Sequence, residues 1–192
     1  MRIPKRLRSC SGQSLVETAL IMPLLLIVVL NAVNFAFFFL MALNITAASR
    51  SSGIYSIMGG ATPAARGLPQ AGPETTASTV SYLAYQDLAV STPSSSNTGW
   101  NVCSSTVGIT GTGSSTVTSC TSSGIGGGFP TSAAADPEAP AFLLGRVDVA
   151  YKFTPPIPLS PFTVFLGLAP NCNAAGTSCT FYRHIVMREM GQ

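Results

Sequence analysis

Hydrophobic and polar positions divide the chain into one unbroken apolar run near its start and a long mixed remainder. No Asp, Glu, Lys or Arg lies between Glu17 and Arg50, and Ala19 to Leu43 is almost wholly apolar. A helix needs roughly 20 such residues to cross a hydrocarbon core of about 30 Å, so residues 13–43 predict one transmembrane helix with length to spare for tilt. Asn31 and Asn34 are its strongly polar interruptions, tolerable where the helix packs against another. Ile45, Ala48, Ser49, Ser52, Tyr55 and Ser56 recur at helical spacings and predict an extension over residues 44–60. Gly53 weakens that pattern, and Gly59-Gly60 followed by Pro63 ends it. An irregular juxtamembrane segment is equally compatible with these residues.

Residues 61–192 read as an extracytoplasmic α+β domain. Pro69 to Pro73 reads as a linker, and Pro73 to Val90 predicts a short helix. Ala77, Val80, Ala84 and Leu88 share one stripe there with Leu83, and Thr75 or Thr76 stands ready as its cap. Ser91 to Thr98, rich in serine, ends this helix. Trp100–Cys103 and Thr116–Cys120 predict two short strands joined by a Gly-rich turn region. Residues 121–140 are of low complexity and predict a flexible loop. Gly145 to Phe153 is the clearest strand, with Val147, Val149, Tyr151 and Phe153 alternating against Asp148, Ala150 and Lys152 to leave one apolar face. Pro156 to Pro170 is an apolar loop, either exposed for a partner or a membrane, or buried under the domain. Thr177 to Met190 predicts a closing strand, antiparallel to Gly145–Phe153 in a small sheet, with His184 on its surface or edge.

Composition narrows the function. Only 9% of the 192 residues are charged, against about 25% in a typical soluble domain. Arg2, Lys5, Arg6 and Arg8 precede the apolar run and account for more than the whole net charge of +3. The remaining cations form no stripe, which argues against nucleic acid as a partner. The placement of the four leader cations before the helix favours a cytoplasmic N-terminus and an exported domain. A secretory signal shares the basic start, but its apolar core is only about 7 to 15 residues long. Cys103, Cys120, Cys172 and Cys179 lie beyond the helix among Ser, Thr and Gly, and so predict disulfides in an oxidising compartment. Four cysteines allow three connectivities, and the two sequence-local pairs are the expected ones; closing a loop of about 15 residues contributes around 3 kcal/mol. A zinc site lacks any CxxC spacing and has only His184 to draw on. Cys10 is expected to stay on the reducing side. The acidic residues beyond the helix are dispersed, there is no GxSxG, and the glycine run at 126–128 lacks the Lys of a phosphate loop, so neither enzyme activity nor a cofactor is expected.

The chemistry-bearing stretch is Gly12-Gln13-Ser14-Leu15-Val16-Glu17, a glycine with a glutamate five residues on, directly against the apolar run. Ser14 and Glu17 form S-x-x-E, a capping box for a first helical turn, and a carboxylate there complements the helix dipole. A carboxylate at the edge of a membrane helix is also costly and tends to mark function. The arrangement resembles the type IV prepilin signal. More closely, GQSLVETALIMP resembles the opening of TadE-like pseudopilins of tight-adherence (Flp-type) pilus systems, a GQ-x-x-VE-x-A-x-x-x-P pattern matched by Gly12, Gln13, Val16, Glu17, Ala19 and Pro23, with Thr18 departing from it. Val147-Asp-Val-Ala-Tyr-Lys-Phe-Thr-Pro155 is similar to a strand often found in that family. The resemblance implies a pilin-like architecture and removal of the leader, residues 1–12, by a prepilin peptidase cutting between Gly12 and Gln13. It also implies that Glu17 faces the new N-terminal amine of a neighbouring subunit. The expected partners are then that peptidase, other pilins or pseudopilins, the pilus assembly platform and the lipid bilayer. The expected location is the bacterial inner membrane, with the domain periplasmic or extracellular, and the expected role that of a non-catalytic minor pseudopilin. An unprocessed single-pass anchor carrying a binding or adhesion domain is the alternative.

Overall fold

The computed structural model describes residues 11–58, 71–72, 75–89, 99–108, 116–125, 129, 134–139, 141–157 and 161–190. The basic leader at 1–10, Gly59-Gly60, Pro63, Pro69, Pro73, Ser91–Thr98 and Gly126–Gly128 lie outside the described residues.

One helix, α1 (Ser11–Met58), takes 48 residues and at 1.5 Å rise per residue is about 72 Å long. Pro23 sits inside it. Its two halves meet different surroundings. From Ser14 to Val29 every described residue is exposed, so the first half projects bare. From Asn34 onward a single stripe is buried: Asn34, Met41, Ile45, Ala48, Ser49, Ser52 and Ser56, with Phe38 packed partly against the core. That spacing of three and four residues is one face of a helix, and it lies against the rest of the protein.

The second half of α1 packs on a four-stranded antiparallel sheet of β1 (Trp100–Val107), β2 (Thr116–Ser123), β3 (Phe142–Phe153) and β4 (Cys179–Met190), ordered β2-β1-β3-β4. Val147, Val149, Tyr151 and Phe153 join Val102, Ile45 and Met41 in the core. Phe38 meets Phe153, Phe162 and Phe181 with ring centroids 5.0 to 6.0 Å apart. The sheet comes closest at Gly53, where a Cβ would strike the Ile185 side chain of β4. Glycine there weakens the helix by about 1 kcal/mol relative to alanine, and the close approach accounts for its presence.

α2 (Val80–Ala89) lies against α1, where Ser51 donates a hydrogen bond to Asp87. It starts seven residues later than the sequence pattern predicts. Thr76 to Thr79 form a turn, closed by the Thr79 N–H on the Thr76 carbonyl at 3.0 Å. Thr79, rather than Thr75 or Thr76, caps the helix by accepting the Tyr82 N–H at 3.2 Å. Ala77 is exposed, while Val80, Ala84 and Leu88 carry the buried stripe.

Three further expectations are corrected. β2 continues through Thr121 to Ser123, which the sequence reads as loop, because those residues pair with Trp100 to Val102. β3 begins at Phe142, three residues early, because Phe142 to Leu144 pair with Arg188 to Met190. The second face of β3 is also not solvated: Arg146, Asp148 and Ala150 are 4%, 5% and 1% exposed. Arg146 grips Asp148 in a bidentate pair, Nε to Oδ2 at 2.7 Å and NH2 to Oδ1 at 2.6 Å, which is how two charges two residues apart on one strand face can be enclosed. Phe129 lies edge-on to Tyr182 on that face. Nearby, Arg188 stacks 3.7 Å over the Phe142 ring and pairs with Asp136 and Glu138.

Candidate functional site

The sequence places the chemistry at the first turns of α1. Because α1 starts at Ser11, Ser14 lies inside the helix and the S-x-x-E capping box does not form there. The Ser14 carbonyl accepts from Thr18 Oγ1 at 2.9 Å, in ordinary helical backing. Glu17 is exposed, and among the described residues no hydrogen bond or ion pair reaches it. A Cβ on Gly12 would meet nothing within 4 Å, so packing places no demand for glycine at that position. Gln13 follows Gly12 in the same turn of α1.

Beyond these residues α1 is apolar on every side. Leu15, Leu20, Met22 and Leu24 are among its most exposed side chains. Even alongside the head its outward side keeps Phe35, Phe39, Leu43 and Met58 exposed, with Thr46 and Arg50 among them. The packed face mixes Met41, Ile45 and Ala48 with Asn34, Ser49, Ser52 and Ser56. α1 is one helix long and apolar enough to cross a membrane, which suggests a single-pass anchor.

The junction between bare and packed halves is built by two residues that the sequence pattern marks only as interruptions. Asn34 Oδ1 accepts the Ile157 N–H at 3.1 Å and its Nδ2 donates to the Ile157 carbonyl at 3.0 Å. Asn31 Oδ1 accepts the Phe162 N–H at 2.8 Å. Both amides therefore dock the chain's own segment after β3, Asn34 at Ile157 and Asn31 at Phe162. The available signal was their spacing of three residues, which puts them on one face of an otherwise apolar run. That segment forms a short helix, α3 (Pro161–Gly167), where a loop was expected. It is divided: Phe162, Thr163 and Leu166 are buried, whereas Val164, Phe165 and Leu168 are 72%, 68% and 83% exposed.

The cysteines stand well apart from Glu17 in the fold. Cys103 and Cys120 face one another across β1 and β2 and are joined by a disulfide. A second disulfide links Cys172 to Cys179 across the turn that leads into β4. The same turn holds Gly176 at φ +64°, where a side chain would run into the Thr163 carbonyl, so it seats directly on α3.

Electrostatics in the head are local. The Glu138 N–H donated to Asp136 and the Arg188 guanidinium beside it hold the Asp136 carboxyl below its usual range. Those carboxylates in turn push Arg188 up. Burial raises Tyr151.

Compared with known protein families, residues 12–53 match the family described as TadE-like protein. No curated protein and no solved structure matches the chain. The match opens on the glycine before Gln13 and ends on the glycine that admits Ile185, so it takes in the bare half of α1 and most of the packed half. Over residues 12–53, most of its long apolar helix, the chain is similar to the TadE-like family.

Proposed function

We propose that this protein is a minor pseudopilin that takes part in assembling a tight-adherence pilus or a related secretion system. The TadE-like match, which coincides with a helix left bare and apolar over its first half, carries the reading. In this proposal a prepilin peptidase cuts after Gly12 on the cytoplasmic side, and Gln13 becomes the mature N-terminus. Gly12 supports it because nothing in the fold requires a glycine there. The bare half then crosses the inner membrane with the head on the outer side, as the four leader cations favour. A carboxylate set against the apolar run at the inner edge of the bilayer is costly to leave unpaired, so a lone acid there calls for a cationic partner. The new amine of Gln13 on an adjoining subunit supplies one, and pairing sets the axial register between helices. The apolar side chains that α1 leaves exposed beside the head, Phe35, Phe39 and Leu43, fit the same role, because lipid covers them before assembly and neighbouring helices after it.

The test is a Glu17→Gln variant in cells lacking the parent chain. Pilus output is expected to fall sharply while the amount of processed, membrane-held protein stays at the parental level. Unchanged output would remove Glu17 from assembly and leave it an ordinary helix side chain.

A further inference from the structure

We infer that α3 is a second membrane contact, an apolar foot of the head that seats in the outer leaflet beside α1. The inference rests on the single-pass anchor proposed above and adds a lipid-facing surface from a different part of the chain.

Depth is the first argument. From Glu17 to Asn31 is about 21 Å of helix at 1.5 Å per residue, less than the roughly 30 Å of a hydrocarbon core. With Glu17 at the inner edge, the level at which Asn34 holds Ile157 and Asn31 holds Phe162 falls within the outer leaflet. Side-chain chemistry agrees. No Asp, Glu, Lys or Arg occurs between Lys152 and Arg183, and the exposed side chains on α3 and just after it include Val164, Phe165 and Leu168. α3 is bonded directly to α1 at Asn31, next to the exposed apolar residues Val33 and Phe35 in the helix.

The backbone supplies a third, independent argument. Non-helical chain at membrane depth is tolerated only where its N–H and C=O groups are satisfied inside the protein. Here Asn34 satisfies both the N–H and the C=O of Ile157, and Asn31 satisfies the N–H of Phe162. At the far end the Leu168, Ala169 and Cys172 N–H groups bond the Phe165, Leu166 and Ala169 carbonyls. Two buried or half-buried amides inside an apolar helix thus do for Ile157 and Phe162 what lipid demands of polar backbone, whereas water would satisfy those groups unaided.

Tryptophan quenching by acyl-chain-brominated phospholipid, with one full-length chain per nanodisc, tests the proposal. The parent chain gives the baseline, since Trp100 is buried in the head. Three variants each add a tryptophan: Leu25→Trp in the bare helix, Phe165→Trp in the foot, and His184→Trp on the exposed face of β4. Phe165→Trp is expected to lose most of its added emission, as Leu25→Trp does, while His184→Trp keeps it. Quenching of Leu25→Trp with Phe165→Trp as bright as His184→Trp would overturn the foot and leave the anchor standing. Loss of quenching at both would overturn the anchor and the foot with it. Protection of Phe165→Trp only when several chains share a disc would assign the surface to a second copy instead of lipid, and would also overturn the proposal.

Discussion

Two glycines of α1 are present for opposite reasons, and substitution separates them. Gly53 is where β4 comes down on the helix, and a side chain there meets Ile185. Gly53→Leu is expected to lower head stability by about 1 to 3 kcal/mol through overpacking. Thermal unfolding in detergent reads it, and Ile185→Ala in the same chain should recover part of the loss, as coupled neighbours do. Gly12 has open space around its Cα. Gly12→Val is therefore expected to leave the unfolding midpoint unchanged and to alter only the mature N-terminus. A fall in midpoint for Gly12→Val would mean that the residue has a packing role.

At the scale of elements, β3 is the member on which the head closes, because it pairs on both sides and is buried on both faces. Its enclosed Arg146–Asp148 pair makes the expected mutational pattern asymmetric. Asp148→Ala should cost about 3 to 5 kcal/mol by stranding the guanidinium, whereas Arg146→Met with Asp148→Leu should return most of that loss. Chemical unfolding of the three chains decides it, and equal losses in single and double variants would contradict it. The tie between β4 and the 136–139 turn is pH-dependent instead. Asp136 has a depressed folded pKa, so its contribution is present above the ordinary carboxylate range and is lost as pH falls through the lowered value. Arg188→Met is thus expected to lower the melting midpoint at neutral pH and to differ less from the parent once pH has fallen through that lowered value.

The elements also show what the sequence could reveal. Alternation in Val147 to Phe153 and the unbroken apolar run were readable because each follows the period of one backbone form. The end of lipid and the beginning of the head were not readable, because α1 keeps Phe35, Phe39 and Leu43 exposed beyond the point where its other face packs on the head. That packed face mixes Met41, Ile45 and Ala48 with Asn34, Ser49, Ser52 and Ser56. Burial of the second β3 face could not be read either: Arg146 and Asp148 look solvated in a pattern of alternation until their mutual pairing is seen. The late start of α2 depended on which of several threonines accepts an N–H, a choice local spacing does not make. In the candidate site, the motif from Gly12 to Glu17 was fully legible. The docking of α3 was not, since it joins residues more than a hundred positions apart.

For the whole molecule, a bare apolar shaft leads into a small disulfide-tied head whose underside carries Val164, Phe165 and Leu168. This shape suits a protein inserted as a membrane anchor and later drawn into an assembly, provided the cytoplasmic leader is first removed. The intact mass of the full-length product extracted from membranes measures that step directly. A chain beginning at Gln13 is the expected result. A chain that retains Met1 to Gly12, or one that begins beyond Leu43 and has left the membrane, would contradict it.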